Sequence, residues 1–216
     1  MSMELSYQEL LSKQEELHQD LVPFLDTKNS KMFPTLRHPL VYSIPYSPAM
    51  NALLNKRYEV LSEQVKKLLK EKNYFSYIFQ HERPYRFQAL LDVITLLDDK
   101  EYWDLVSDVW VDSENIWQNL KAWKKILKQR KETKHFFMDE DDKKDFDNLP
   151  DKLIVYRGYT IGKNEKGLSY TTDENKAKWI AKRFSKSGAV TSRYIDKKDV
   201  FAYTNRRCEN EIILLK

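Results

Sequence analysis

Leu153-Ile154-Val155-Tyr156-Arg157-Gly158, Gly167-Leu168-Ser169-Tyr170-Thr171-Thr172 and Glu209-Asn210-Glu211-Ile212-Ile213-Leu214-Leu215 are the runs on which the reading of this 216-residue chain turns. Each is an apolar, β-branched or aromatic stretch of strand length with a charged or hydroxyl residue at its edge. A buried strand has no structural need for an arginine at its end or for two glutamates at its start, so these residues are where chemistry is to be sought. After the second run, residues 173–184 read as a helix. Thr171 with Glu174 fits a capping box, and Ala177, Trp179, Ile180, Ala181 and Phe184 supply a buried face. Residues 190–194, 200–203 and 211–215 read as three further strands, with 205–208 as the loop before the last. Alternation within the second run turns Tyr170 to the core, away from Ser169 and Thr171.

Upstream the period is helical. Tyr7, Leu10, Leu11, Leu17 and Leu21 give an amphipathic helix over residues 6–21. Pro23, Pro34, Pro39, Pro45 and Pro48 then make an irregular connector, since each removes a donor and restricts the residue before it. Ser47-Pro48 suits a helix start, and Leu54, Tyr58, Leu61, Val65 and Leu68 form its stripe to about Lys72. A third helical unit carries Phe87, Leu90, Leu91, Ile94 and Leu97 and stops at Asp98-Asp99. Trp103, Trp110 and Trp117 are spaced by seven; Asp112-Ser113 reads as a cap that breaks any seam, so core packing is the expectation. The basic run 124–134 reads as a solvated helix end, and the acidic residues 138–148 as a last helix closed by Leu149-Pro150. The period changes near Pro150. The expected architecture is therefore α+β, with a helical N-terminal region, 1–150, followed by a compact β-rich domain, 151–216.

Composition narrows the class. Apolar residues are 41% and charged residues 32%, no run approaches the ~20 apolar residues of a membrane span, and no secretory leader is visible, so a cytoplasmic location is expected. A single cysteine, Cys208, and four scattered histidines offer no metal-ligand spacing, and no metal site is expected. Net charge is +4, but residues 1–150 carry 22 Lys and Arg against 25 Asp and Glu, and residues 151–216 carry 15 against 8. The basic half favours an anionic ligand such as a dinucleotide, with a solvated lysine-rich face as the alternative. All four glycines lie beyond Pro150, and no Gly-x-Gly-x-x-Gly turn is present.

The order Arg157, then Ser169-Tyr170-Thr171, then Glu209-Asn210-Glu211 resembles the ADP-ribosyltransferase superfamily, in the branch marked by arginine, serine and glutamate on three strands. The resemblance covers residues 151–216 and nothing before them. It implies an NAD-dependent mono-ADP-ribosyltransferase, similar to small phage or bacterial transferases, with NAD as co-substrate. Arg157, Gly158, Ser169, Tyr170 and Thr171 would bind the dinucleotide. Glu211 would be catalytic, and Glu209 would select or activate an acceptor, a protein arginine being favoured. Tyr170 stands where that family usually has threonine.

The residue types suit that chemistry. Breaking the nicotinamide–ribose bond develops positive charge on the sugar, which a carboxylate such as Glu211 stabilises. Arg157 offers a planar donor fork for a pyrophosphate, and Ser169 a hydroxyl to hold Glu211 or the ribose in register. Alternatives are a non-catalytic binding or adaptor protein on the same fold, a nucleic-acid acceptor, and a related RNA-modifying phosphotransferase, for which the Ser169 run lacks a histidine.

Overall fold

The computed structural model describes residues 7–27, 33–114, 116–183 and 186–215. Helices and antiparallel sheets make an α+β chain, divided into two compact units, Met1–Thr95 and Leu96–Lys216.

In the first unit, α1 spans only Tyr7–Ser12. The expected helix start at Ser6 and the side chains of Tyr7 and Leu11 lie outside the described residues. Beyond Ser12 the backbone finds other partners. Asn51 donates to Glu15 O, and Asn55 both donates to Glu16 O and accepts from His18 N. Side-chain amides thus replace the helical bonds that an acid- and amide-rich segment holds weakly. The proline-rich connector is also more regular than expected. It forms a small antiparallel sheet, β1 (Leu25–Asp26), β2 (Thr35–His38) and β3 (Tyr42–Pro45), in that order. Its prolines flank strands or end them: Pro34 precedes β2, Pro39 follows it and Pro45 closes β3, where no interior ladder donor is lost. Leu21, Leu36, Val41 and Leu54 are its core. After a 3-10 turn at Pro48–Met50 come α2 (Asn51–Lys70), α3 (Tyr74–Gln80) and α4 (Arg86–Val93). Ser47 marks the start but makes no side-chain cap bond.

The second unit opens with a correction. Asp98 does not stop a helix but starts one: it caps α5 (Asp99–Asp112) in a reciprocal box with Glu101. Trp103 and Trp110 are fully buried on α5. Trp103 lies against Phe137 and Phe201, and Trp110 meets Trp123 of α6 (Leu120–Ile126) edge-on at 5.1 Å. Trp117 is only half-buried, in a 3-10 turn at Ile116–Asn119. The basic run 124–134 is not all solvated: Arg130 lies over the Tyr102 ring, pairs with Asp99 at 2.8 Å and donates to Leu97 O. α7 (Glu140–Asp147) follows, capped by Asp139.

The strands are β4 (Lys152–Thr160), β5 (Ser169–Thr171), β6 (Gly188–Asp196), β7 (Ala202–Thr204) and β8 (Glu211–Ile213), with α8 (Glu174–Arg183) after β5. They form one antiparallel sheet in the order β6-β4-β5-β8-β7. Leu153, Val155, Tyr170, Tyr203 and Ile212 face a core completed by Met138, Phe146 and Leu149. An apolar sheet face must be covered, and residues before Pro150 cover it. The boundary expected at Pro150 therefore falls inside this unit, which begins at Leu96.

α8 lies against β4 through Ala177 and Ala181. Its cap is Asp173, which accepts from Asn175 N and Lys176 N, whereas Thr171 accepts from Asp173 N and Glu174 pairs with Lys178. Trp179, expected inside, is 51% exposed, and Phe184 lies outside the described residues. The approach is close at Gly158, where an added Cβ would press on the Ala177 carbonyl and stand 2.7 Å from Ala181 N. Gly158→Ala is expected to destabilise by about 1–3 kcal/mol, because helix backbone must move. A urea midpoint equal to that of the parent would remove this account of Gly158.

Candidate functional site

Glu211 is the first residue of β8, in register with Thr171 on one side and Thr204 on the other. The chain reaches it through a tight loop, residues 205–210, in which Cys208 (φ 54) and Asn210 (φ 45) adopt left-handed backbone. That loop is fastened at several points. Asn205 N donates to Asp142 Oδ1, Asn210 N donates to Asn205 Oδ1, and the Tyr203 hydroxyl donates to Asn210 Oδ1. Arg206 pairs with Asp108 at 2.6 Å. Asp142 is itself buried, with its other oxygen unpartnered, and burial raises its pKa.

The Glu211 side chain is taken out of water, with 2% of the residue exposed. Trp110 Nε1 donates to Oε1 at 3.2 Å and Arg207 Nη2 donates to Oε2 at 3.4 Å, and Ser169 lines the cavity beside the same carboxylate. Burial raises its pKa above the ordinary carboxylate value. The Arg207 charge, the Ser169 hydroxyl and the Trp110 N–H oppose that rise, and the Glu209 charge adds to it. Glu209 is partly exposed and meets the same Arg207 nitrogen at 3.1 Å, while its carbonyl accepts the Thr171 hydroxyl at 2.6 Å.

Arg157 behaves otherwise than expected. Its Nη1 donates to Ser169 O at 2.7 Å and its Nη2 to Asn164 O at 2.9 Å, and its Nε is buried without a partner. Both terminal nitrogens are spent on backbone, so no free donor fork faces a ligand. Strand register gives the reason: Tyr156 pairs with Thr171, and Thr171 pairs with Glu211. Ser169, Thr171 and Glu211 therefore share one face of the sheet, and Arg157 shares the other with Tyr170. The Tyr170 ring belongs to the core, with Arg193 over it at 5.7 Å.

One cavity nonetheless touches all seven residues singled out from the sequence. Arg157, Gly158, Ser169, Tyr170, Thr171, Glu209 and Glu211 line it, with Tyr156 and Ile180. Its volume is ≈ 40 Å³. That is room for a water molecule and not for an aromatic ring. A cavity of ≈ 830 Å³ in the first unit is lined by mixed charges such as Lys13, Glu15, Lys56 and Glu59, with no convergent set.

The sequence reading missed Trp110 and Arg207. Trp110 stands 101 positions from Glu211, beyond any local pattern, whereas Arg207 did carry a signal: a cation two positions before Glu209. Among the described residues no group of His, Cys, Asp and Glu is arranged to hold a metal ion, and no helix is long and apolar enough to cross a membrane. No family model, curated protein or solved structure matches the chain.

A raised carboxyl pKa binds more proton in the folded state than in the unfolded one. Its contribution to stability therefore falls as pH rises from the ordinary carboxylate range to the Glu211 value, and is flat above. Glu211→Gln is expected to remove that part of the slope and to be no less stable than the parent at pH 7, since Arg207 keeps Glu209 as counter-ion. Urea midpoints for both proteins between pH 4 and 8 test this, and parallel profiles would contradict it.

Proposed function

We propose that this protein is an NAD-dependent mono-ADP-ribosyltransferase acting on a macromolecular acceptor, with protein arginine favoured. The observation that carries the reading is the pair of acids on one guanidinium, the buried Glu211 and Glu209 two residues before it, at a cavity that Ser169 also lines. NAD supplies an ADP-ribosyl group whose anomeric carbon becomes cationic as nicotinamide leaves. Glu211 stabilises that charge, and its effect is large because the site is dry. Ser169 keeps the carboxylate in register, and Trp110 fixes its other oxygen. Glu209, nearer the surface, takes the acceptor's proton on this reading. Arg157 serves this site by gripping the Ser169 carbonyl, hence the strand that carries the hydroxyl.

The donor set suits the ribose end of NAD in kind, but ≈ 40 Å³ does not admit nicotinamide. Catalysis on this reading needs the cavity to widen. The same closure, with Arg157 spent on carbonyls, favours a second reading: a binding protein on this fold without the reaction. A nucleic-acid acceptor draws support from the charge of residues 151–216, 15 Lys and Arg against 8 Asp and Glu.

Incubation with labelled NAD and cell lysate distinguishes these. Glu211→Gln is expected to lower label transfer by roughly 10²–10³-fold or more, the scale of losing a principal charge-stabilising group. Glu209→Gln should keep some NAD hydrolysis and lose transfer. Equal labelling by all three proteins would refute the site, and absence of nicotinamide release by the parent with every acceptor would favour the binding protein. Nuclease and protease digestion of the labelled product identifies the acceptor class.

A further inference from the structure

Arg207 sits where the two glutamates and the end of α5 meet. Its Nη1 donates to Val111 O at 3.1 Å and Ser113 O at 3.3 Å, carbonyls at the negative pole of that helix. This seat alone would suit an arginine that merely closes a helix end. The other nitrogen does more. Nη2 lies 3.1 Å from Glu209 Oε2 and 3.4 Å from Glu211 Oε2, so one guanidinium spans both acids. A planar fork anchored on one edge can hold a carboxylate at a fixed angle on the other, which a lysine cannot do.

We propose that Arg207 is a positioning residue for Glu211, keeping its carboxylate charged and aimed within the cavity while α5 fixes the guanidinium. This rests on the reading of Glu211 as the catalytic carboxylate. The groups around Glu211 leave that task to Arg207. Ser169 from β5 and Trp110 from α5 are neutral donors. Glu209 carries like charge. Arg157 from β4 is the other nearby cation, but its terminal nitrogens are bound to backbone carbonyls and its influence on Glu211 is through space only. With Arg207 neutral, a desolvated carboxylate keeps its charge poorly, and Oε2 loses its fixed donor.

The test uses the full chain with ¹³C-labelled glutamate, the Glu211 carboxyl resonance being identified by its loss in Glu211→Gln. Arg207→Gln is expected to move the Glu211 titration midpoint up. Glu209→Gln, which deletes a like charge, is expected to move it down. Arg207→Lys should fall between the parent and Arg207→Gln. In parallel, nicotinamide release at pH 7 should drop roughly tenfold or more in Arg207→Gln and recover as pH is raised, a profile that loss of packing alone does not give. Opposite shifts in the two Gln variants support the proposal; an unmoved midpoint in Arg207→Gln, or an upward shift in Glu209→Gln, overturns it. If Arg207→Gln does not fold, Arg207→Lys and Glu209→Gln decide by the same signs. Should the parent release no nicotinamide, the enzymatic reading fails, and the resonance still decides whether Arg207 governs the carboxylate.

Discussion

The second unit is organised around a carboxyl group that has been taken out of water. A carboxylate at the start of β8 loses most of its hydration, a penalty of several kcal/mol that only close donors offset. The donors are an indole on α5 and a guanidinium in the adjoining loop, with a hydroxyl on β5 lining the same cavity. The guanidinium is only four residues away, but the indole and the hydroxyl are distant in sequence and reach the carboxylate only in the fold. The carboxylate is therefore tolerated only when α5, β5 and the loop are assembled together, and their mutual placement is tied to it.

The same arrangement accounts for the extent of the unit. Residues 96–150 supply Trp110 to the site, Asp142 and Asp108 to the loop, and Met138, Phe146 and Leu149 to the sheet's apolar face. Arg157 contributes from beneath by tying β4 to the backbone of β5 through Ser169. Its guanidinium also packs on Gly167, where a side chain would collide with it. The glycine there serves this close approach rather than a ligand.

Much of this was legible in the sequence, and the failures have identifiable causes. Strand-length runs with polar edges gave β4, β5 and β8, and these do neighbour one another. Asp98 misled because an acid between two apolar stripes can end one helix or begin the next; the Glu101 side chain decides, by returning to Asp98 N. Pro34, Pro39 and Pro45 pointed to an ordered but irregular connector, although proline at a strand's end costs no ladder bond. The boundary at Pro150 followed the change of period, but period reports local conformation and not which surfaces pack. Arg157 was assigned a ligand because its residue type suits one. Only register shows that it leaves the sheet on the opposite face from Glu211.

Cys208 is exposed, in left-handed backbone, one residue beyond Arg207 and one before Glu209. With no second cysteine in the chain, a thiol-directed fluorophore or spin label would attach there alone, without any change of sequence. The loop bordering the carboxylates thus brings its own attachment point for a spectroscopic probe.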